Sequence, residues 1–215
     1  MAALAAIITL LPGATAQVTF EVAPYVGVYV PLGSMLRPSP PSQQFTNNYG
    51  PAVTSVAQRT THALGGHVTA WLASHLGVEG TVSSAPSGVN IGAHNDGRVM
   101  TGSAKLVVVP LTFLGGLFTF HVSGGVGFVD HGGAAYEAVG GATSAAPTVG
   151  AGITVKVADS RLLRIDAEDA WFRPHLYPQS GCIHVDAVCR ALQQPNTPGF
   201  QHDMILSVGL AFRFP

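Results

Sequence analysis

"ILSVGLAFRFP", residues 205–215, decides how the chain is read. Taken from Met204, one row of alternate positions holds Met204, Leu206, Val208, Leu210, Phe212 and Phe214, and the other holds Ile205, Ser207, Gly209, Ala211 and Arg213. A period of two means a β-strand, because successive side chains leave opposite faces of an extended backbone. One face is bulky and apolar; the other is small, with a single arginine. In a soluble protein the bulky row turns inward. The alternative is that the small row fills a narrow interior while the bulky row faces something apolar outside.

Composition bears on that choice. At 215 residues the chain is one domain's worth, and 47% hydrophobic against 10% charged is lean in charge for a water-facing surface. A net charge of -1, with ten basic residues scattered singly, excludes a nucleic-acid partner. Twenty-six glycines disfavour long helices and suit a strongly curved sheet.

The first sixteen residues read separately. "MAALAAIITLLPGATA" has an apolar stretch from Leu4 to Leu11, a helix break at Pro12-Gly13, and small residues at Ala14 and Ala16. This is the pattern of a secretory signal cleaved before Gln17, although it lacks a positive start; the alternative is a buried N-terminal helix. The expected organisation is therefore a signal peptide over 1–16 and one domain over 17–215. No later run is long and apolar enough for a transmembrane helix, since Leu106–Phe120 is interrupted by Pro110 and by Gly115-Gly116. In an exported chain Cys182 and Cys189 most simply form a disulfide closing a small loop, worth about 2 to 3 kcal/mol. Free thiols or metal ligands are the alternatives, but His175, His184 and His202 are irregularly spaced for zinc.

The terminal alternation recurs over Thr19–Val30, Thr61–Leu72, Leu76–Ser83, Arg98–Val109, Leu117–Phe128, Thr148–Val157 and Arg161–Trp171, which makes eight candidate strands. Their connections alternate in length. Long polar segments follow strands one, three, five and seven, and tight turns follow two, four and six. A meander of even strand number with long loops on one rim is what a transmembrane β-barrel requires, since every backbone group pairs around the closed sheet. Strands of about ten residues also cross the apolar layer when tilted. Aromatics fall near strand ends, with Phe20, Phe118, Phe120, Phe212 and Phe214 towards the short-turn rim and Phe128 and Trp171 towards the other.

If the bulky row faced inward, as in a soluble lipocalin-like barrel, those phenylalanines would crowd a narrow core. With the bulky row outward, the inward set contains Glu21, Glu79, Lys105, Lys156, Arg164, Asp166, Glu168 and Arg213, four of each sign. Buried charge is tolerable when paired, so an interior salt-bridge network that leaves no open pore is expected.

Four stretches, "VAPYVGVYVPLG" (22–33), "GAGITVKVADSRLLRIDAEDAW" (150–171), "HDMILSVGLAFRF" (202–214) and the signal-like leader, give the chain its likeness to a known family. It resembles the eight-stranded outer-membrane β-barrels, such as the transmembrane domain of outer membrane protein A. The resemblance covers the mature chain and implies an all-β, eight-stranded antiparallel up-and-down barrel in the outer membrane, with long extracellular loops and short periplasmic turns. It implies outer-membrane lipid and the barrel-assembly machinery as partners, the latter reading Phe212 and Phe214 near the terminus, although Pro215 follows. With no periplasmic domain after the barrel, the chain is not expected to anchor the cell wall.

"HVS", His121–Ser123, invites a hydrolase reading, because lipid A deacylases are similar in size and use a histidine and serine two apart on one strand. There the pair faces lipid beside a glutamate; here alternation turns His121 and Ser123 inward, and Glu137 is the next glutamate. Interior polar packing is the expectation. The glycines of "GGVG" (124–127) precede no helix, so a phosphate loop is not expected, and neither a cofactor nor a metal is. The expected role is structural, adhesive or surface recognition through the loops, with an unidentified surface ligand. The alternatives are an outer-membrane lipid-modifying hydrolase and a soluble ligand-binding barrel.

Overall fold

The computed structural model of the chain describes residues 18–38, 57–89, 96–137, 143–173, 196–198 and 200–214. The leader, Cys182, Cys189, His175, His184 and Pro215 lie outside the described residues. In chain order the strands are β1 (Thr19–Gly33), β2 (Leu36–Pro38), β3 (Thr61–Ala73), β4 (Leu76–Ala85), β5 (Arg98–Phe113), β6 (Phe118–Gly132), β7 (Thr143–Ala158), β8 (Arg161–Phe172), β9 (Asn196–Pro198) and β10 (Gln201–Phe214). Eight of them form a closed antiparallel barrel in the order β1-β10-β8-β7-β6-β5-β4-β3. Closure runs from Phe20 opposite Phe214 to Gly33 opposite Gln201. Each backbone ladder thus finds a neighbour on both sides, which removes the sheet edges that hydrocarbon would not tolerate. β2 and β9 pair as a small ribbon linking the segments after β1 and before β10.

The faces fall as the bulky-outward reading requires. Leu206, Val208 and Leu210 are 43–46% exposed, whereas Ile205 and Ala211 on the opposite row are buried. Val26, Leu64, Val82, Leu106, Val126 and Ile153 extend this exposed apolar surface around the barrel. A surface of that kind belongs in hydrocarbon and not in water, which rules out the soluble lipocalin-like alternative. The phenylalanines Phe20, Phe212 and Phe214 point outward at the short-turn rim.

Glycine makes two close approaches possible. A Cβ on Gly125 would lie 2.0 Å from the Ala104 carbonyl oxygen, and one on Gly65 would lie 2.4 Å from the Tyr25 ring. Tyr25 therefore lies across β3 inside the barrel, and β6 sits tightly against β5. At the β5–β6 connection Leu114, Gly115 and Gly116 take φ of 49°, 66° and 94°, a left-handed run that glycines make affordable.

Two expectations need correction. β7 begins at Thr143 and not at Thr148: its ladder with β6 runs on through Pro147, opposite Val126, to Thr143, opposite Asp130, whereas its pairing with β8 starts at Thr148, so Pro147 falls where β7 is paired on one side alone, a place that tolerates a missing donor. Lys156 is no part of the interior. The β7–β8 pairing shifts register between Lys156 and Ala158, the residue emerges beyond the rim, and its ammonium meets Asp159 at 2.9 Å in the exposed turn. Lys156 holds the Asp159 carboxyl below its usual value.

Candidate functional site

The inward row of β1, β3, β4, β5, β6 and β8 meets in a continuous charge network. Glu79 on β4 is fully buried and central: Arg164 Nη1 lies 2.6 Å from its Oε2, Lys105 Nζ lies 3.2 Å from its Oε1, and Thr69 Oγ1 donates at 2.8 Å. Arg164 also donates through Nε to Asp166, 2.9 Å from Oδ2, and reaches to 3.6 Å from Glu21. Lys105 completes a second pair with Glu168, which accepts from Ser103 Oγ at 3.1 Å as well. At the short-turn mouth Arg213 donates to Glu21 at 2.7 Å, and Trp71 Nε1 donates to the same oxygen at 3.3 Å. The Arg213 side chain is 42% exposed, so it closes the mouth at its rim and is not buried as expected. Its place near the strand end accounts for this.

Seven of the eight expected charges therefore interact in one network, and Lys156 does not. Two histidines join it. His121 Nε2 lies 2.7 Å from Asp166 Oδ1, while His67 lies 3.6 Å from Glu79, 3.8 Å from Asp166 and against the Tyr25 ring at 4.7 Å. His67 already stood on the inward row by alternation, but counting only permanently charged residues passed it over. His121 and Ser123 both turn inward, and His121 is committed to Asp166 inside the wall. Because low-dielectric surroundings magnify each attraction and punish each unpaired charge, the network is stable only as a whole.

A second layer closes the long-loop end. Tyr29 Oη lies 2.6 Å from Asp203 Oδ2 and 3.0 Å from Gln58 Oε1, and Gln201 Nε2 donates to Asp203 Oδ1 at 3.0 Å and also to Gln58. Gln58 Nε2 donates to Tyr136 Oη at 3.1 Å, and that hydroxyl donates to the Ser87 carbonyl at 3.0 Å. Burial pushes the Tyr136 phenol above its usual value, which keeps it a donor. Gln58, Ser87 and Tyr136 come from connecting segments and not from barrel strands; Ser87 Oγ to Arg59 O, 2.7 Å, ties two of those segments together. Met35, Val89 and Phe172 pack around this cap in one buried cluster. Nothing in the local sequence marks Gln58 or Ser87, although extending the terminal alternation back to Gln201 and Asp203 would have placed both of those inside.

Phe212 and Phe214 are outward at the short-turn rim, opposite Val22 and Phe20. Among the described residues no group of histidine, cysteine or acidic side chains is arranged to hold a metal.

No protein-family model matches the chain, and no curated protein matches it. Solved structures do. The outer membrane protein OprG of Pseudomonas aeruginosa superposes with a TM-score of 0.55 at 13% identity, covering 92% of this chain and 96% of that one. Neisserial surface protein A gives 0.51 at 10% identity over 94% and 99%. The N-terminal β-barrel domain of Pseudomonas aeruginosa OprF gives 0.50 at 10% identity over 92% and 100%. At such identities the likeness speaks for the fold.

Proposed function

Proceeding from a fold that is the eight-stranded outer-membrane barrel, with an exterior made for hydrocarbon, we propose a non-conducting membrane barrel whose role is recognition or adhesion through its long extracellular loops. By the usual orientation of such barrels the short turns face the periplasm and the long loops face out. The observation that carries the reading is the filled interior: the charge network occupies the barrel from the Arg213 mouth to Tyr25, and residues from the connecting segments seal the other end. A solute path would have to break both layers.

The role is non-catalytic in this reading, because the His121–Asp166 pair is enclosed and Ser123 shares its inward face. Lipid of the outer membrane surrounds the exposed apolar belt, and the barrel-assembly machinery reads Phe212 and Phe214 during insertion. The test is paired. Planar-bilayer recordings of the purified barrel are expected to show no stepwise conductance, and vesicles carrying it are expected to bind target cells until residues 174–195 are replaced by a short glycine-serine link. Steady conductance steps in the wild type, or undiminished binding after replacement, would overturn the reading.

A further inference from the structure

The polar groups at the long-loop end fix one another's hydrogen-bond directions. Tyr136 Oη donates its one proton to the Ser87 carbonyl at 3.0 Å, so towards Gln58 it can only accept, and Gln58 Nε2, 3.1 Å away, must donate. The Gln58 amide is thereby held with Oε1 turned the other way, towards Tyr29 Oη at 3.0 Å. On its far side the same hydroxyl meets Asp203 Oδ2 at 2.6 Å. Two oxygens that need a donor thus face a hydroxyl that owns a single proton. The second proton comes from Asp203, as a neutral carboxylic acid that donates through Oδ2 to Tyr29 while Tyr29 donates to Gln58.

The surroundings favour the same state. Asp203 is 2% exposed, and Tyr29 has no exposed surface. Opposite Asp203 stand Pro31 on β1 and Ala170 on β8, neither of which brings a charge. Its other oxygen accepts from the neutral Gln201 Nε2 at 3.0 Å. Glu21, Glu79, Asp166 and Glu168 each face an arginine or a lysine, whereas among the described residues no such group pairs with Asp203. Of the titratable groups around it, Asp169 on β8 adds a like charge, and His202 is turned to Asp169. His131 on β6 lies against Tyr136 and Phe172, and Arg59, next to Gln58, is exposed. Buried without a cation, a carboxyl costs far less as the acid than as the anion.

We propose that Asp203, Tyr29, Gln58 and Tyr136 form a proton-operated latch, which ties the connecting segments to the barrel while Asp203 is protonated and releases them when it ionises. When the proton leaves for solvent, the carboxylate takes the Tyr29 proton for itself, and Tyr29 Oη then turns a lone pair on Gln58 Oε1. The cap has little slack to absorb that lost bond, since a Cβ on Gly97 would lie 2.4 Å from the Ser87 carbonyl oxygen and 2.8 Å from the Tyr136 ring. Opened to water, the carboxyl ionises at the ordinary value of about 4. Above that value the closed form binds one proton more than the open form, so rising pH favours opening. None of the latch residues lies in 174–195, so the latch and the loop reading above stand or fall separately.

The test is limited proteolysis of the full barrel in detergent micelles at about pH 5 and about pH 8. Cleavage within 57–60 is mapped by mass, and each rate is divided by that of the unfolded chain at the same pH. For the wild type the divided rate is expected to rise about tenfold or more between the two. Asp203→Asn, whose amide is always neutral and still donates to Tyr29, is expected to be slow at both. Histidines titrate in the same range, so this variant also separates Asp203 from His131 and His202. Tyr29→Phe is expected to be fast at both, and it carries the test if Asp203→Asn lacks the heat-modifiable mobility of a folded barrel. Equal wild-type rates at the two pH values, or the wild-type rise retained in either folded variant, would overturn the proposal.

Discussion

Glu79 shows how one residue commands its surroundings. It has no exposed surface, and its two oxygens face Arg164, Lys105 and Thr69 from three different strands. Removing one member of such a set costs more than the bond itself, since the remaining charges stay buried without a partner. Arg164→Ala, which strands Glu79, Asp166 and Glu21 together, is expected to lower stability by about 3 to 5 kcal/mol in urea-dependent unfolding from bilayers. A loss below about 1 kcal/mol, the range of exposed pairs, would mean the interior is hydrated and the network ornamental. The wall itself is tested by neighbours of opposite face. Val208→Arg puts a cation into hydrocarbon and is expected to cost about 2 to 4 kcal/mol, whereas Ser207→Ala changes only interior packing. A loss from Ser207→Ala as large as that from Val208→Arg would contradict the face assignment. The alternation that separates these two positions is plain in the sequence; which partner each interior charge takes is not, because the pairs join residues as far apart as Glu21 and Arg213.

Among the elements, β6 and β5 are held closest. Gly125 faces the Ala104 carbonyl with no space for a side chain, so Gly125→Val is expected to block the β5–β6 register and abolish the heat-resistant folded band on gels. Normal mobility of that variant would show the two strands able to separate. The cap is the other element-scale device, in which Gln58 bridges Tyr29, Gln201 and Tyr136. Gln58→Ala is expected to release the connecting segment and speed its cleavage by added protease on intact vesicles. A loss of about 1.4 kcal/mol corresponds to a tenfold faster rate if cleavage follows opening. An unchanged rate would mean that the apolar packing of Met35, Val89 and Phe172 holds the cap alone. The existence of the eight barrel strands was legible from periodicity, and boundaries failed where the local signal conflicted with pairing. Pro147 is the clear case: alternation starts the strand just after it, yet pairing with β6 alone carries β7 through it and back to Thr143. The β2–β9 ribbon has no periodic signal, since three residues are too few to alternate and their pairing spans most of the chain.

For the whole molecule, the exterior and the interior follow from one choice of face. Bulky residues outward leave glycine, serine, threonine and charge to fill a barrel too narrow for a lumen, and the charges then pair because no solvent is left to take them. Period-two rows, alternating connection lengths and the scarcity of charge determined, without coordinates, that this is an eight-stranded barrel with an apolar outside; these are local properties, and hydrocarbon accepts only one way of closing them. Tertiary structure alone decided that Lys156 leaves the network while His67 and His121 enter it, and that Gln58, Ser87 and Tyr136 seal the mouth. It also decided that Asp169 and His202, on β8 and β10, meet side chain to side chain. The reason is physical. Periodicity tells each residue which face it takes, but the shear of a closed barrel sets its height on that face, and contact needs both.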